Sequence, residues 1–153
     1  MASYFFDSSA LVKRYVNESG TVWVTSLIDP AAGHEIYLAR ISGVEVLSAI
    51  KRRERAGTTS PQDAQAAISN FRGDFALFFT VLEISSSVIS EAMALAERHD
   101  LRGYDAVQLA AALEVHRHRT ALSLPLATLI SADQSLNEAG LAEGLTVDDP
   151  NSH

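Results

Sequence analysis

Hydrophobic positions in this chain fall into short runs separated by longer amphipathic stretches. "SYFF" (3–6) is a brief apolar run with aromatic β-formers, which predicts a buried strand. "SSALVKRYV" follows as a helix that Asp7 or Ser8 can cap. "GTVWVTSLID" (20–29) reads as a helix despite its β-branched residues, and "HEIYLA" (34–39) as a second strand. "ISGVEVLSAIKRRERAG" (41–57) predicts a helix ended by Gly57. "SPQD" (60–63) marks another helix start, with Ser at the cap, Pro in the first turn and Asp three residues after the Ser. That helix runs toward Phe75, and "FFTVLEI" (78–84) predicts a third strand. "SSVISEAMALAERHD" (86–100) has an amphipathic helical period. "LRGYDAVQLAAAL" (101–113) begins a helix reaching about Arg119. Between Ala106 and Leu113 its only polar residue is Gln108, so this helix is expected to be buried. "ATLISA" (127–132), "DQSLNEAG" (133–140) and "LTVDD" (145–149) predict a fourth strand, a short helix and a fifth strand.

Short apolar strands alternating with helices imply a parallel sheet covered on both faces. The expectation is one three-layer α/β/α domain over residues 1–153, with a central, mainly parallel sheet of four to five strands. Apolar residues make up 47% and charged residues 20% of the chain, which excludes a disordered segment of this length. The absence of cysteine excludes disulfides and thiolate metal sites. The opening "MASYFFDSSALVKRY" is broken by Asp7 and Lys13 and does not read as a signal peptide, and no stretch reads as a membrane span. A cytoplasmic protein is expected.

The formal net charge of −7 argues by itself against nucleic-acid binding. The charge is uneven, however. All 12 Lys and Arg residues lie at or before Arg119, and the densest basic run is "KRRER" (51–55). Cations at a helix C-terminus complement its dipole, and that suffices to explain the run. Lys51, Arg52, Arg53 and Arg55 are nevertheless candidates for RNA contact.

Four acids stand against apolar sequence. Asp7 follows the first strand and Asp133 the fourth, so both are expected at carboxyl ends of parallel strands, where open α/β sheets build sites. Glu45 lies between Val44 and Val46, and Asp105 opens the buried helix. Each could be a cap or a first-turn acid. A helical carboxylate usually has a cation three or four residues away. Glu45, Asp7 and Asp133 have none there, and only Asp105 has a candidate, Arg102. A divalent cation would offset the mutual repulsion of such a cluster, and oxygen ligands suit Mg²⁺ or Mn²⁺. The histidines show no zinc-type spacing.

"FFDSSALVKRY", "SGVEVLSAI", "YDAVQLAAAL" and "LISADQSL", in this order along nearly the whole chain, resemble the PIN-domain family, and within it the VapC-like toxin ribonucleases of bacterial toxin–antitoxin pairs. The resemblance implies a Mg²⁺- or Mn²⁺-dependent endoribonuclease that leaves a 3′-hydroxyl and a 5′-phosphate. It implies catalytic and metal-binding roles for Asp7, Glu45, Asp105 and Asp133, with Ser9 and Ser131 supporting the site. It also implies a homodimer and an antitoxin protein partner. The acidic "TVDDP" end departs from the plain apolar edge strand expected of the family. Two other readings stay open: a non-catalytic PIN-like binding module, and another Mg²⁺ enzyme on a similar sheet, such as a phosphatase or a phospho-receiver. "DSSAL" lacks the second acid of the phosphatases, and no Lys follows Arg119 to serve a receiver.

Overall fold

The computed structural model describes residues 1–153. Five strands are joined through helices: β1 (Ser3–Phe6), β2 (Glu35–Ala39), β3 (Thr80–Leu82), β4 (Thr128–Ile130) and β5 (Thr146–Asp148). Every neighbouring pair is parallel, and the order across the sheet is β3-β2-β1-β4-β5. Seven α-helices complete the chain: α1 (Ser8–Leu11), α2 (Thr21–Ile28), α3 (Ser42–Arg55), α4 (Pro61–Leu77), α5 (Ser86–Arg98), α6 (Gly103–Ala121) and α7 (Gln134–Ala142).

The three layers follow from the two-residue period of the strands. Phe5 packs into one core with α5, α6 and α7, whereas Phe6 packs into a second core with α1, α3 and α4. Leu129 and Ile130 of β4 divide in the same way. With both faces covered, the central strands can be apolar throughout. The alanines of α6 let it lie close between the sheet and α5, and Ala106, Ala110, Ala111 and Ala112 are all buried.

Several boundaries differ from those predicted. The first helix tightens after Leu11 into a 3₁₀ turn over Val12–Arg14, and the third strand keeps only three residues. The acids of "TVDDP" have local work. Asp149 accepts from the Asn151 N–H at 2.8 Å and caps a 3₁₀ turn over Pro150–Ser152, while Asp148 stands 2.9 Å from His153 Nε2. No helix is long and apolar enough to cross a membrane.

The sheet order creates one special place. From β1 the chain winds outward through β2 and β3, then returns to β4 on the other side of β1. At such a switch the connections leave β1 and β4 in opposite directions and open a crevice at their carboxyl ends.

Candidate active site at the sheet switch point

Asp7 is the first residue after β1, and its backbone N–H donates to Ile130 O of β4 at 3.1 Å. Its Oδ1 accepts from the Ala10 N–H (3.1 Å) and the Ser9 hydroxyl (2.7 Å), so the carboxylate caps α1. Asp7 is 2% exposed and has no cation partner. Burial pushes its carboxyl up to about 7, against the hydrogen bonds from Ser9 and Ala10, and nearby Asp105 adds to the rise.

Asp133 follows β4 and caps α7, with Oδ1 accepting from the Leu136 N–H at 2.9 Å. The two strand ends are stitched together by hydroxyls. Ser9 Oγ accepts from the Ala132 N–H at 3.0 Å, Ser131 Oγ accepts from the Asp133 N–H at 3.0 Å, and the two hydroxyls lie 3.4 Å apart. Capping and site formation are therefore not alternatives for Asp7 and Asp133. In each, a single oxygen, Oδ1, holds the helix.

Glu45 lies in the first turn of α3 and Asp105 in the first turn of α6. Burial raises the pKa of both; Asp105 adds to the rise at Glu45, and Asp133 to that at Asp105. Glu45 Oε1 accepts from Gln108 Nε2 at 2.7 Å. All four acids line one cleft of about 740 Å³. Acids from four distant stretches of sequence thus share one crevice.

Sequence spacing leaves Asp133 without a cation, but the fold supplies one. Arg102, just before α6, donates from Nε to Asp105 Oδ2 (3.2 Å) and from an Nη to Asp133 Oδ2 (3.3 Å). Its side chain is 82% exposed, so this pairing is held from solvent. As the side chains stand, no three acids or histidines converge into a ready-made ion cage. The donor set nonetheless suits a hard divalent cation. It offers only carboxylate oxygen, Asp7 is buried without a counter-charge, and Asp105 and Asp133 already share the one cation within reach. An ion held by that pair would compete with Arg102 for the same oxygens.

Of the basic run, Arg52 and Arg53 line the cleft, whereas Lys51 and Arg55 do not. Arg53 is tied to Glu18 at 3.0 Å and Lys51 to Glu54, while Arg52 bonds only the Ser48 hydroxyl, at 3.1 Å. Lys13, which sequence reasoning passed over, is buried at the cleft wall and donates to Ser19 O (2.8 Å) and Asn151 Oδ1 (3.1 Å). Nothing in "ALVKRYV" distinguishes it from a surface lysine.

A PIN domain model matches residues 4–140. Ribonuclease VapC45 of Mycobacterium tuberculosis is 33% identical over 116 residues, covering 75% of this chain and 78% of that protein. Among solved structures, M. tuberculosis VapC20, described as a sarcin–ricin loop cleaving toxin, superposes with a TM-score of 0.61 at 15% identity, over 90% of this chain and 95% of that one. VapBC2 from Rickettsia felis, bound to a DNA fragment from their promoter, gives 0.60 at 13% identity over 96% and 98%. At those identities the two structures speak to the fold alone.

Proposed function

The chain belongs to the PIN domain family, and from that premise we propose that it is a divalent-metal-dependent endoribonuclease, the toxin of a toxin–antitoxin pair. The observation that carries the reading is the convergence of Asp7, Glu45, Asp105 and Asp133 on one cleft at the sheet switch point. The ribonuclease names of the relatives at 33% identity and the toxin–antitoxin complexes among the structural neighbours support it.

In this reading the four acids hold Mg²⁺ or Mn²⁺. The bound ion supplies Lewis acidity toward a phosphate and eases the ionisation of water. The chain's own residues do the rest. Asp7 and Asp133 each hold a helix with one oxygen while lining the cleft, so their carboxylates are fixed before substrate arrives. Ser9 and Ser131 lock the two strand ends that carry them. Arg52, which has no carboxylate partner, is placed to take an RNA phosphate. Arg102 can leave Asp105 and Asp133 for a phosphate when an ion replaces it. The net reaction joins a water oxygen to phosphorus and breaks the bond to the 3′ oxygen. The expected products are a 3′-hydroxyl and a 5′-phosphate. A homodimer and an antitoxin whose basic side chain enters the cleft complete the proposal.

Incubation with total RNA, with Mg²⁺ or Mn²⁺ or with chelator, followed by mapping of the ends, tests this directly. Metal-dependent cuts that vanish in Asp7→Asn are expected. A folded protein that binds RNA without cutting it under any divalent ion would favour the non-catalytic module.

A further inference from the structure

Gln108 is an anomaly in α6. It is 1% exposed in a helix whose neighbouring positions are alanine, valine and leucine. Its Nε2 donates to Ser42 Oγ at 2.9 Å and to Glu45 Oε1 at 2.7 Å, while its own Oε1 is buried with no partner. The orientation of the amide is not arbitrary, because an ionised Glu45 only accepts, so the NH₂ end must face it. A buried acceptor without a partner is a cost that an apolar side chain of the same volume would not carry. An amide is therefore not chosen for its acceptor, although one of its bonds satisfies the fully buried Ser42 hydroxyl. Its two donors do account for it. Ser42 and Glu45 stand one helical turn apart on α3, and Gln108 stands one turn beyond Asp105 on α6. The amide thus ties the helix bearing Asp105 to the helix bearing Glu45.

We infer that Gln108 is a positioning residue of the cleft: anchored on Ser42, it holds one oxygen of Glu45 and so sets where the Glu45 carboxylate stands relative to Asp105. The inference rests on the reading of the cleft as a nuclease site. The helices α3 and α6 pack on opposite faces of the sheet, and the Gln108 amide joins them.

The test uses Gln108→Met, which keeps volume and removes both donors, and Gln108→His, which restores a donor of similar reach. Both are compared with Glu45→Gln and with the double variant Gln108→Met/Glu45→Gln. The readouts are the melting temperature without divalent ion, Mn²⁺ affinity by calorimetry, and RNA cleavage rate. Gln108→Met should melt at most a few degrees below the parent, because it leaves the buried Ser42 hydroxyl without its donor, yet cleave at least tenfold more slowly and bind Mn²⁺ several-fold more weakly. Gln108→His should recover part of both losses, and in the Glu45→Gln background Gln108→Met should change neither. Cleavage and affinity within twofold of the parent in Gln108→Met, with Glu45→Gln inactive, would overturn this inference alone. So would a cleavage loss that disappears when the rate is referred to the folded fraction, or effects that multiply in the double variant. Full activity in Glu45→Gln would overturn the reading of the cleft and this inference with it.

Discussion

Asp105 has a reason to stand at the start of a helix that is otherwise buried and apolar. It faces Asp133 across Arg102 and raises the carboxyls of both Asp7 and Glu45. Asp105→Asn keeps the shape and removes one charge from this crowd. RNA cleavage should fall at least about a hundredfold, the scale of damage expected at a metal site. Metal-free stability should hold or rise, because the Arg102 pair that is lost is exposed while a like-charge repulsion is relieved. Melting curves with and without Mg²⁺, beside one cleavage assay, check both halves. Asp7 makes a prediction in pH. Its carboxyl rises from 3.8 to about 7 on folding, so the folded chain binds the extra proton between those values. Its contribution to stability is full below about pH 4 and is lost as pH rises through 7. In chelator, Asp7→Asn should therefore gain on the parent as pH goes from 5 to 8 in urea unfolding, and added Mg²⁺ should narrow the gap. At this scale the sequence was most informative about the acids, since a charge beside apolar residues is visible without a structure. Arg102 was half visible: its contact with Asp105 is three residues away, but that with Asp133 spans 31 and exists only through the fold. Gln108 stood out as the only polar position of its stretch, with nothing nearby to say what it touched.

Elements were legible where their ends carry chemistry. Ser60 caps α4 and accepts from the Asp63 N–H at 3.1 Å, as its motif implies, and Ser85 does the same for α5. Strand limits were less legible, because "FFTVLEI" is apolar beyond the three residues that pair and the excess packs as loop. Arg119 shows the same blindness from the other side. It ends an apolar helix as an ordinary C-terminal cation, yet is buried against Glu35 at 2.6 Å and Tyr37 at 3.0 Å. The start of α2 supplies the prediction at this scale. Gly20 has φ of 86°, and a Cβ there would lie 2.5 Å from Pro150 O, in the backbone of the C-terminal turn. Gly20→Ala meets both a disfavoured dihedral and a rigid neighbour. It should cost about 1–3 kcal/mol and loosen residues 150–153. Gly33→Ala, at a similar dihedral in open space, should cost less. Denaturant melts of the two variants, with proteolysis of the C-terminus, distinguish them.

Over the whole molecule, net charge and function pull apart. A chain at −7 is a poor general binder of RNA, so the proposed activity requires local contacts. Arg52 is the cleft cation with no acid on it, and Arg52→Ala should weaken RNA binding across sequences and reduce its salt slope by about 1. Arg55→Ala, away from the cleft, should do neither; equal effects of the two in a salt series would return the run to a plain helix end. The layered architecture was readable from strands alternating with helices, but the strand order was not, because a fully buried strand carries no mark of which neighbour it pairs.

The position of β1 at the middle of that order has a consequence in time. A polypeptide is made from its amino end, so the central strand exists before either neighbour, and β4 is the fourth of the five strands to be made. Asp7 is synthesised 126 positions ahead of Asp133. Until β4 is made, the growing chain carries parts of a cleft with no opposite wall. A chain stopped anywhere before β4 cannot assemble the four acids, and whatever chemistry they perform begins only when synthesis has passed the turn beyond that strand.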